Sequence, residues 1–296
     1  MPTPMLRCAT LVVADVDATV ERYSKWLDYR PVERGTVELD EASAWDCPAM
    51  AGRRWAMCGP ASGMPVFLRF VEGEPVPDYR PITSFGWAAT EICVTDVAAV
   101  HARLETSPFA VIGPPSPIGG LSAIRPMQVR GPDADTTYLT EILTDNPAEG
   151  LPRPRSLVDH LFILVLACRD RAATGCWFGE MLDLEISDPV SIRYSMINKA
   201  FDLPADRQHE IATGWSGGRI ILEFDQYPEG AVFRPAHPGA LSPGVAIGTL
   251  WHPEFDQLRV DWIVEPVRRE GALYAGRRVG TIRTPEDALV ELIDGG

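Results

Sequence analysis

Apolar and polar positions along the chain fall into one pattern repeated four times: a short apolar strand, a turn, an amphipathic helix, then two or three further strands. The first copy opens at 6–14 (LRCATLVVA). Asp15 follows as an N-cap signal, and Val20, Tyr23, Trp26 and Leu27 recur at helical spacing. The second opens at 86–94 (GWAATEICV), with Asp96 as the cap and Val97, Val100 and Leu104 on the apolar face. The third opens at 159–168 (DHLFILVLAC), with Asp170 as the cap and Cys176, Trp177, Met181 and Leu182 turned inward. The fourth opens at 244–251 (GVAIGTLW), and Pro253-Glu254 predicts a helix carrying Phe255, Leu258, Val260 and Ile263. Each copy closes on a strand: 65–72 (PVFLRFVE), 137–143 (TYLTEIL), 219–225 (RIILEFD) and 288–293 (ALVELI). Gly/Pro-rich turns separate openers from closers.

The chain thus reads as an α+β protein of four βαβββ modules. The Pro/Gly-rich, non-periodic stretch at 146–155 is the natural linker between an N-terminal unit (1–148) and a C-terminal unit (156–296). A length of 296 residues suits two domains of ordinary size. A lone module has one apolar sheet face and an open edge, so pairing of modules is expected.

Charge narrows the classes of partner. The net charge of −14, with no Lys/Arg run longer than two, argues against nucleic acid and anionic membranes. The first seven residues lack a signal-peptide layout, and no apolar run is long enough to span a bilayer. Six cysteines with no CxxC pair predict reduced thiols and a cytoplasmic protein. Only Lys25 and Lys199 among 27 basic residues are lysine, a usage typical of high-GC bacterial genomes. Nucleophile-elbow, P-loop and dinucleotide-binding patterns are absent.

Alternation along the closing strands exposes candidate chemistry. In 219–225, Ile220, Leu222 and Phe224 share one face while Ile221, Glu223 and Asp225 share the other. In 288–293, Val290 and Leu292 oppose Leu289, Glu291 and Ile293. A mid-strand carboxylate between apolar neighbours needs a cation, a proton or a hydrogen bond. His160, at the start of the third opener, offers an imidazole suited to Zn, Ni or Fe(II).

The opener and closer pairs, such as HLFILVLAC with RIILEFD and GVAIGTLW with ALVELI, resemble those of the vicinal oxygen chelate superfamily over nearly the whole chain. That superfamily includes glyoxalase I, bleomycin-resistance proteins and type I extradiol dioxygenases. The resemblance implies two glyoxalase-like domains with cupped mixed sheets, and metal ligands on the opening and closing strands. It points to a divalent metal (Fe, Zn, Ni or Mn) held by His160, Glu223 and Glu291, with Glu223 and Glu291 as catalytic carboxylates. The fourth opener departs from the family by carrying Ala246 where another ligand is expected. A missing histidine suits glyoxalase- or isomerase-like proton transfer better than extradiol ring cleavage, which uses two histidines. In the first half the corresponding positions are Cys8, Arg69, Ala89 and Glu141. There Arg69 facing Glu141 is expected to replace the metal by a bidentate ion pair or to hold a substrate anion. Trp251, Tyr227 and His252 are further candidates for substrate contact. The Pro-rich loop at 225–239 reads as an inter-module crossover more readily than as a lid. The partner is a small molecule, with an aromatic or amphipathic one as a candidate, and the chain is expected to be a monomer or homodimer. A metal-free binding protein of the bleomycin-resistance type is the reading from another class.

Overall fold

The computed structural model describes residues 5–296. The first module comprises β1 (Leu6–Val13), α1 (Val16–Leu27), β2 (Arg30–Thr36), α2 (Leu39–Ala44), β3 (Arg54–Gly59) and β4 (Phe67–Glu72). The second comprises β5 (Gly86–Val94), α3 (Val97–Leu104), β6 (Ala110–Gly113), β7 (Ile124–Arg130) and β8 (Thr136–Ile142). The third comprises β9 (Val158–Cys168), α4 (Arg171–Leu182), β10 (Glu185–Ile186), β11 (Val190–Ile192), α5 (Ser195–Ala200), β12 (His209–Ser216) and β13 (Arg219–Gln226). The fourth comprises β14 (Gly244–His252), β15 (Val267–Arg269), β16 (Arg277–Arg283) and β17 (Leu289–Asp294).

The caps form where the sequence puts them. Asp15 accepts from the amides of Asp17 and Ala18, Asp96 from that of Ala99, and Asp170 from that of Ala173. The fourth helix does not form. Phe255–Gln257 makes a single 3-10 turn, and Ile263 donates its amide to the Thr281 carbonyl of β16 instead. Between Pro253 and Pro266, Trp262 stacks on Phe255 at 5.3 Å, so this apolar face is buried by a segment lying along the sheet.

The strands make two curled mixed sheets, each a half-barrel. The first runs β15-β16-β17-β14-β1-β4-β3-β2, and the second runs β10-β12-β13-β9-β5-β8-β7-β6 with β11 alongside β12. Within every module the opener lies parallel to its closer, as in β1 with β4 and β9 with β13. Modules join through antiparallel openers: β1 with β14, and β5 with β9. The expected halves 1–148 and 156–296 therefore do not follow the sheets. Module one pairs with module four, and module two with module three, so each sheet draws on both halves of the chain.

The convex faces meet across one apolar core. It contains Leu68 and Phe70 of β4, Leu164 and Leu166 of β9, Leu222 and Phe224 of β13, and Val290 and Leu292 of β17. The helices α1, α3 and α4 contribute Tyr23, Val100 and Phe178 to it. At the closest approach, a Cβ on Gly248 would lie 2.7 Å from Leu164 and 2.9 Å from Trp87, so only glycine admits the contact. The Trp87 indole N–H donates to the Leu289 carbonyl of the other sheet at 2.8 Å. The concave faces are also largely apolar but hold several buried ionisable groups, Arg69 and Glu291 in the first sheet and Glu91, Glu223 and Asp225 in the second.

Candidate functional site

On the second sheet, Glu91 of β5 and Glu223 and Asp225 of β13 are buried in the concave face with Tyr138, Tyr194 and Tyr227. Glu91 accepts from Thr140 Oγ1 at 2.6 Å, and Glu223 accepts from the Tyr194 hydroxyl at 2.6 Å. Asp225 is fully buried, and no N–H or hydroxyl donor reaches its oxygens, which meet the carboxyl of Glu223. The Tyr227 hydroxyl is likewise buried and unpartnered. Burial and the charge of Glu223 push Glu91 up to about 8. Burial raises Asp225 well above the carboxylate range, with the charge and contact of Glu223 adding to it. Burial also raises Glu223, against the Tyr194 hydrogen bond that lowers it. Three carboxyl groups in one apolar cup with no basic side chain acting on them must hold protons or a cation.

The first sheet solves the same problem with an internal cation. Arg69 of β4 is buried at the floor of its cup. Nη1 donates to Glu41 at 2.9 Å and to the Tyr274 hydroxyl at 2.8 Å, Nη2 to Glu291 at 3.3 Å, and Nε to Thr10 at 2.9 Å. Trp45 and Tyr274 flank the guanidinium at 4.9 and 5.9 Å. Burial pulls the Arg69 pKa down, but the Tyr274 oxygen and the charges of Glu291 and Glu41 reverse this and leave it well above the ordinary value. Glu291 also accepts from Trp45 Nε1 at 2.8 Å and Thr249 Oγ1 at 2.9 Å. A cavity of about 460 Å³ opens over this floor.

A third cluster lies at the β5–β9 junction. The ligand-type atoms of Cys93, Asp159 and His160 lie within 4.8 Å of one another, and all three residues are buried. Asp159 and Cys93 both address Nδ1 of His160, at 3.1 and 3.7 Å. A nucleophilic triad needs opposite ring nitrogens, so this is not one. Burial opposes ionisation of Asp159, but hydrogen bonds from His160, Ser62 and the Arg155 amide hold it below the usual range. Burial pushes the Cys93 thiol up. The mixed S/N/O donor set could take a zinc-like ion, but the internal hydrogen bonds already satisfy Asp159.

The residues expected to share one metal are thus distributed over three places. His160 joins Cys93 and Asp159, Glu223 lies in the second cup, and Glu291 lies in the first. The cause is the module pairing, which puts β13 and β17 in different sheets. The expected Arg69–Glu141 pair does not form either. Glu141 lies on the opposite face of β8 from Tyr138, where it binds Arg125 at 2.5 Å and the Val97 amide at the start of α3 at 3.4 Å. Tyr227 is in the second cup as described. The Trp251 ring is covered by Arg277 at 4.2 Å and Arg7 at 5.3 Å, away from the cavity over Arg69. His252 accepts the Glu254 amide at 3.2 Å and meets the Leu182 carbonyl at 3.4 Å, a turn contact rather than a site contact. Ala246 packs in an apolar cluster with Val12 and Ile247. The loop after β13 is a crossover between the sheets: Val232 bridges to Ser84, and Arg234 donates to Ser84 and the Val245 carbonyl.

Sequence reasoning overlooked Glu91, Glu41, Tyr194 and Tyr274. Glu91 carried a usable signal, since GWAATEICV holds a carboxylate in mid-strand as Glu223 and Glu291 do. Glu41 comes from the short helix α2, and Tyr194 and Tyr274 from connecting segments, and none of the three carried a signal.

Neither a family model nor a curated protein matches this sequence. Solved structures do. Glyoxalase I from Zea mays is 15% identical, with 98% of this chain and 92% of that chain covered at a TM-score of 0.65. A candidate dioxygenase from Bacillus subtilis subsp. subtilis is 14% identical, with 99% and 86% covered at a TM-score of 0.61. The order of four βαβββ modules, the parallel opener–closer pairs and these full-length likenesses together show that the chain has the fold of the vicinal oxygen chelate superfamily.

Proposed function

We propose that this chain is a metal-dependent small-molecule enzyme that moves a proton beside a carbonyl, with its centre in the cup of the second sheet. The observation that carries the reading is Asp225, fully buried with no donor group at either oxygen and in contact with the carboxyl of Glu223, with Glu91 nearby. Glu223 and Asp225, in contact on one face of β13, would hold the ion with Glu91 of β5, although among the described residues only Cys93, Asp159 and His160 have ligand-type atoms already within 4.8 Å of one another; an all-carboxylate set suits a hard cation, Mn²⁺ among the four metals considered. Such an ion polarises a carbonyl oxygen and acidifies the adjacent C–H. The chain's own residues supply the rest. Glu91 holds a proton near neutral pH in the metal-free cup and would give it up to bind the ion, whereas Glu223, oriented by the Tyr194 hydroxyl, would accept the substrate's proton and return it. Tyr138 and Tyr194, ring centroids 6.3 Å apart, help enclose the site among apolar side chains. Among the described residues no imidazole hydrogen-bonds to Glu91, Glu223 or Asp225, so ring cleavage by a two-histidine iron site is the weaker reading.

The test is metal analysis after Mn²⁺-replete expression and dialysis. About one ion per chain is expected, falling below a tenth in the Glu91→Gln/Asp225→Asn double variant. Solvent deuterium exchange beside the carbonyl, followed by NMR across a panel of α-hydroxy ketones, is expected only with metal. Unchanged metal content in the double variant would sink the assignment. Oxygen uptake with catechols would favour ring cleavage instead.

A further inference from the structure

The junction of β5 and β9 has a fault in its register that gathers three metal-ligand side chains. Ile92 pairs with Leu161 and Val94 with Val158, so one residue of β5, Cys93, stands opposite two of β9, Asp159 and His160. That two-against-one count is a β-bulge. Neighbouring residues of a regular strand point to opposite faces, whereas a bulge re-aims them. Here it brings the adjacent side chains of Asp159 and His160 together beside Cys93. Among the described residues this is the one group of three His, Cys, Asp or Glu whose ligand-type atoms all lie within 4.8 Å of one another.

The spacing matches a tetrahedral ion. Ordinary bonds from zinc to imidazole nitrogen, carboxylate oxygen and thiolate sulfur set the N···O edge at about 3.4 Å and the N···S edge at about 3.6 Å. His160 Nδ1 lies 3.1 Å from Asp159 Oδ1 and 3.7 Å from Cys93 Sγ, so the donors need only small movements to take an ion. Asp159 would lose only the His160 hydrogen bond, because Ser62 Oγ and the Arg155 amide continue to donate to it. One thiolate and one carboxylate balance the charge of Zn²⁺, so no net charge is left buried. One proton leaves, that of the Cys93 thiol, and the imidazole hydrogen passes from Nδ1 to Nε2. The His160 side chain, 8% exposed, keeps the solvent contact through which the ion enters and the proton departs.

We propose that the β9 bulge is a zinc site made of Cys93, Asp159 and His160, separate from the carboxylate cup of the same sheet. A thiolate and an imidazole select a borderline-soft ion, whereas the all-carboxylate cup selects a hard one. Water takes the fourth position. The ion clamps module two to module three across β5 and β9. Through Asp159 it also fastens Ser62, in the connection from β3 to β4, and the linker at Arg155.

Cobalt reports the thiolate. The metal-stripped full chain titrated with Co²⁺ is expected to develop a thiolate-to-cobalt charge-transfer band in the near ultraviolet, abolished by added Zn²⁺ and absent from Cys93→Ser. Zn²⁺ affinity, read by competition with a chromogenic chelator, should fall more than about 100-fold in Cys93→Ser and in Asp159→Asn, and about tenfold in Ser62→Ala, which removes only a support of Asp159. Zn²⁺ should raise the melting temperature of the wild type but not of Asp159→Asn. If Cys93→Ser melts below the metal-free wild type, Asp159→Asn carries the comparison. The Glu91→Gln/Asp225→Asn variant should keep both the band and the Zn²⁺ affinity, so failure of the carboxylate centre and failure of this site are told apart. Bound Co²⁺ without a thiolate band, Zn²⁺ affinity unchanged in Asp159→Asn, or no uptake of either ion would overturn the proposal.

Discussion

Glu91 on an opening strand and Arg69 on a closing strand show how two buried ionisable groups call for opposite treatments. Glu91, pushed up to about 8, is protonated in the folded state where an unfolded glutamate near 4.5 is not. Its contribution to stability is therefore full below about pH 4.5 and is lost as pH rises toward 8. The expected slope is about 1.4 kcal/mol per pH unit for each extra proton that the folded state holds. Urea melts of metal-stripped protein from pH 5 to 8.5 should show stability falling, and Glu91→Gln should flatten the curve. Added Mn²⁺ should reverse the trend, because the ion displaces the same protons. Arg69 has the reverse dependence on its neighbours. Arg69→Ala leaves Glu41 and Glu291 without their cation and should cost about 3–5 kcal/mol at neutral pH. A triple change to apolar residues at 41, 69 and 291 should recover much of that loss in the same melts.

Helices are fastened from across the molecule as well as by their own caps. Asp133, in the turn before β8, accepts from the Ala14 amide at 2.9 Å and from Arg22 at 2.5 Å, tying α1 of the first sheet to the second. Glu286, before β17, accepts from the Arg169 amide at 3.0 Å and Thr174 Oγ1 at 2.7 Å, tying α4 of the second sheet to the first. These two clasps occupy matching places in modules two and four. Asp133→Ala should cost about 2 kcal/mol, because it removes the charged partner of the largely buried Arg22 together with the acceptor of the exposed Ala14 amide. Asp15→Ala, a local cap on the same helix, should cost only about 1 kcal/mol. Denaturant midpoints check the ranking, and faster hydrogen exchange in the first turn of α1 should accompany both.

At the scale of the whole molecule, each sheet is sewn from both halves of the chain, the first from its two ends and the second from its middle. Cutting at 146–155 would leave β1 without β14 and β5 without β9, so each half would carry two unpaired central edges. Residues 1–148 and 156–296 expressed apart are expected to aggregate, and co-expressed they should purify as a one-to-one complex. A soluble monomeric half with native-like amide dispersion would contradict the topology. Closing β1 on β14 spans almost the whole sequence, so folding is expected to be slow for the chain's size.

What could be read from the sequence was everything that depends on neighbours a few residues apart. Strand alternation put Glu223 and Asp225 opposite Leu222 and Phe224, and the aspartate signals at 15, 96 and 170 marked three helix starts. Local periodicity carries no information about which module lies beside which, because all four openers are apolar strands with similar edges. The pairing is settled by side-to-side packing of whole sheets around contacts such as Gly248 against Leu164 and Trp87. That choice sends Glu291 to an arginine and Glu223 to a cup of carboxylates. The tertiary structure alone therefore decides which buried charge meets a cation from its own chain and which is left to find one elsewhere.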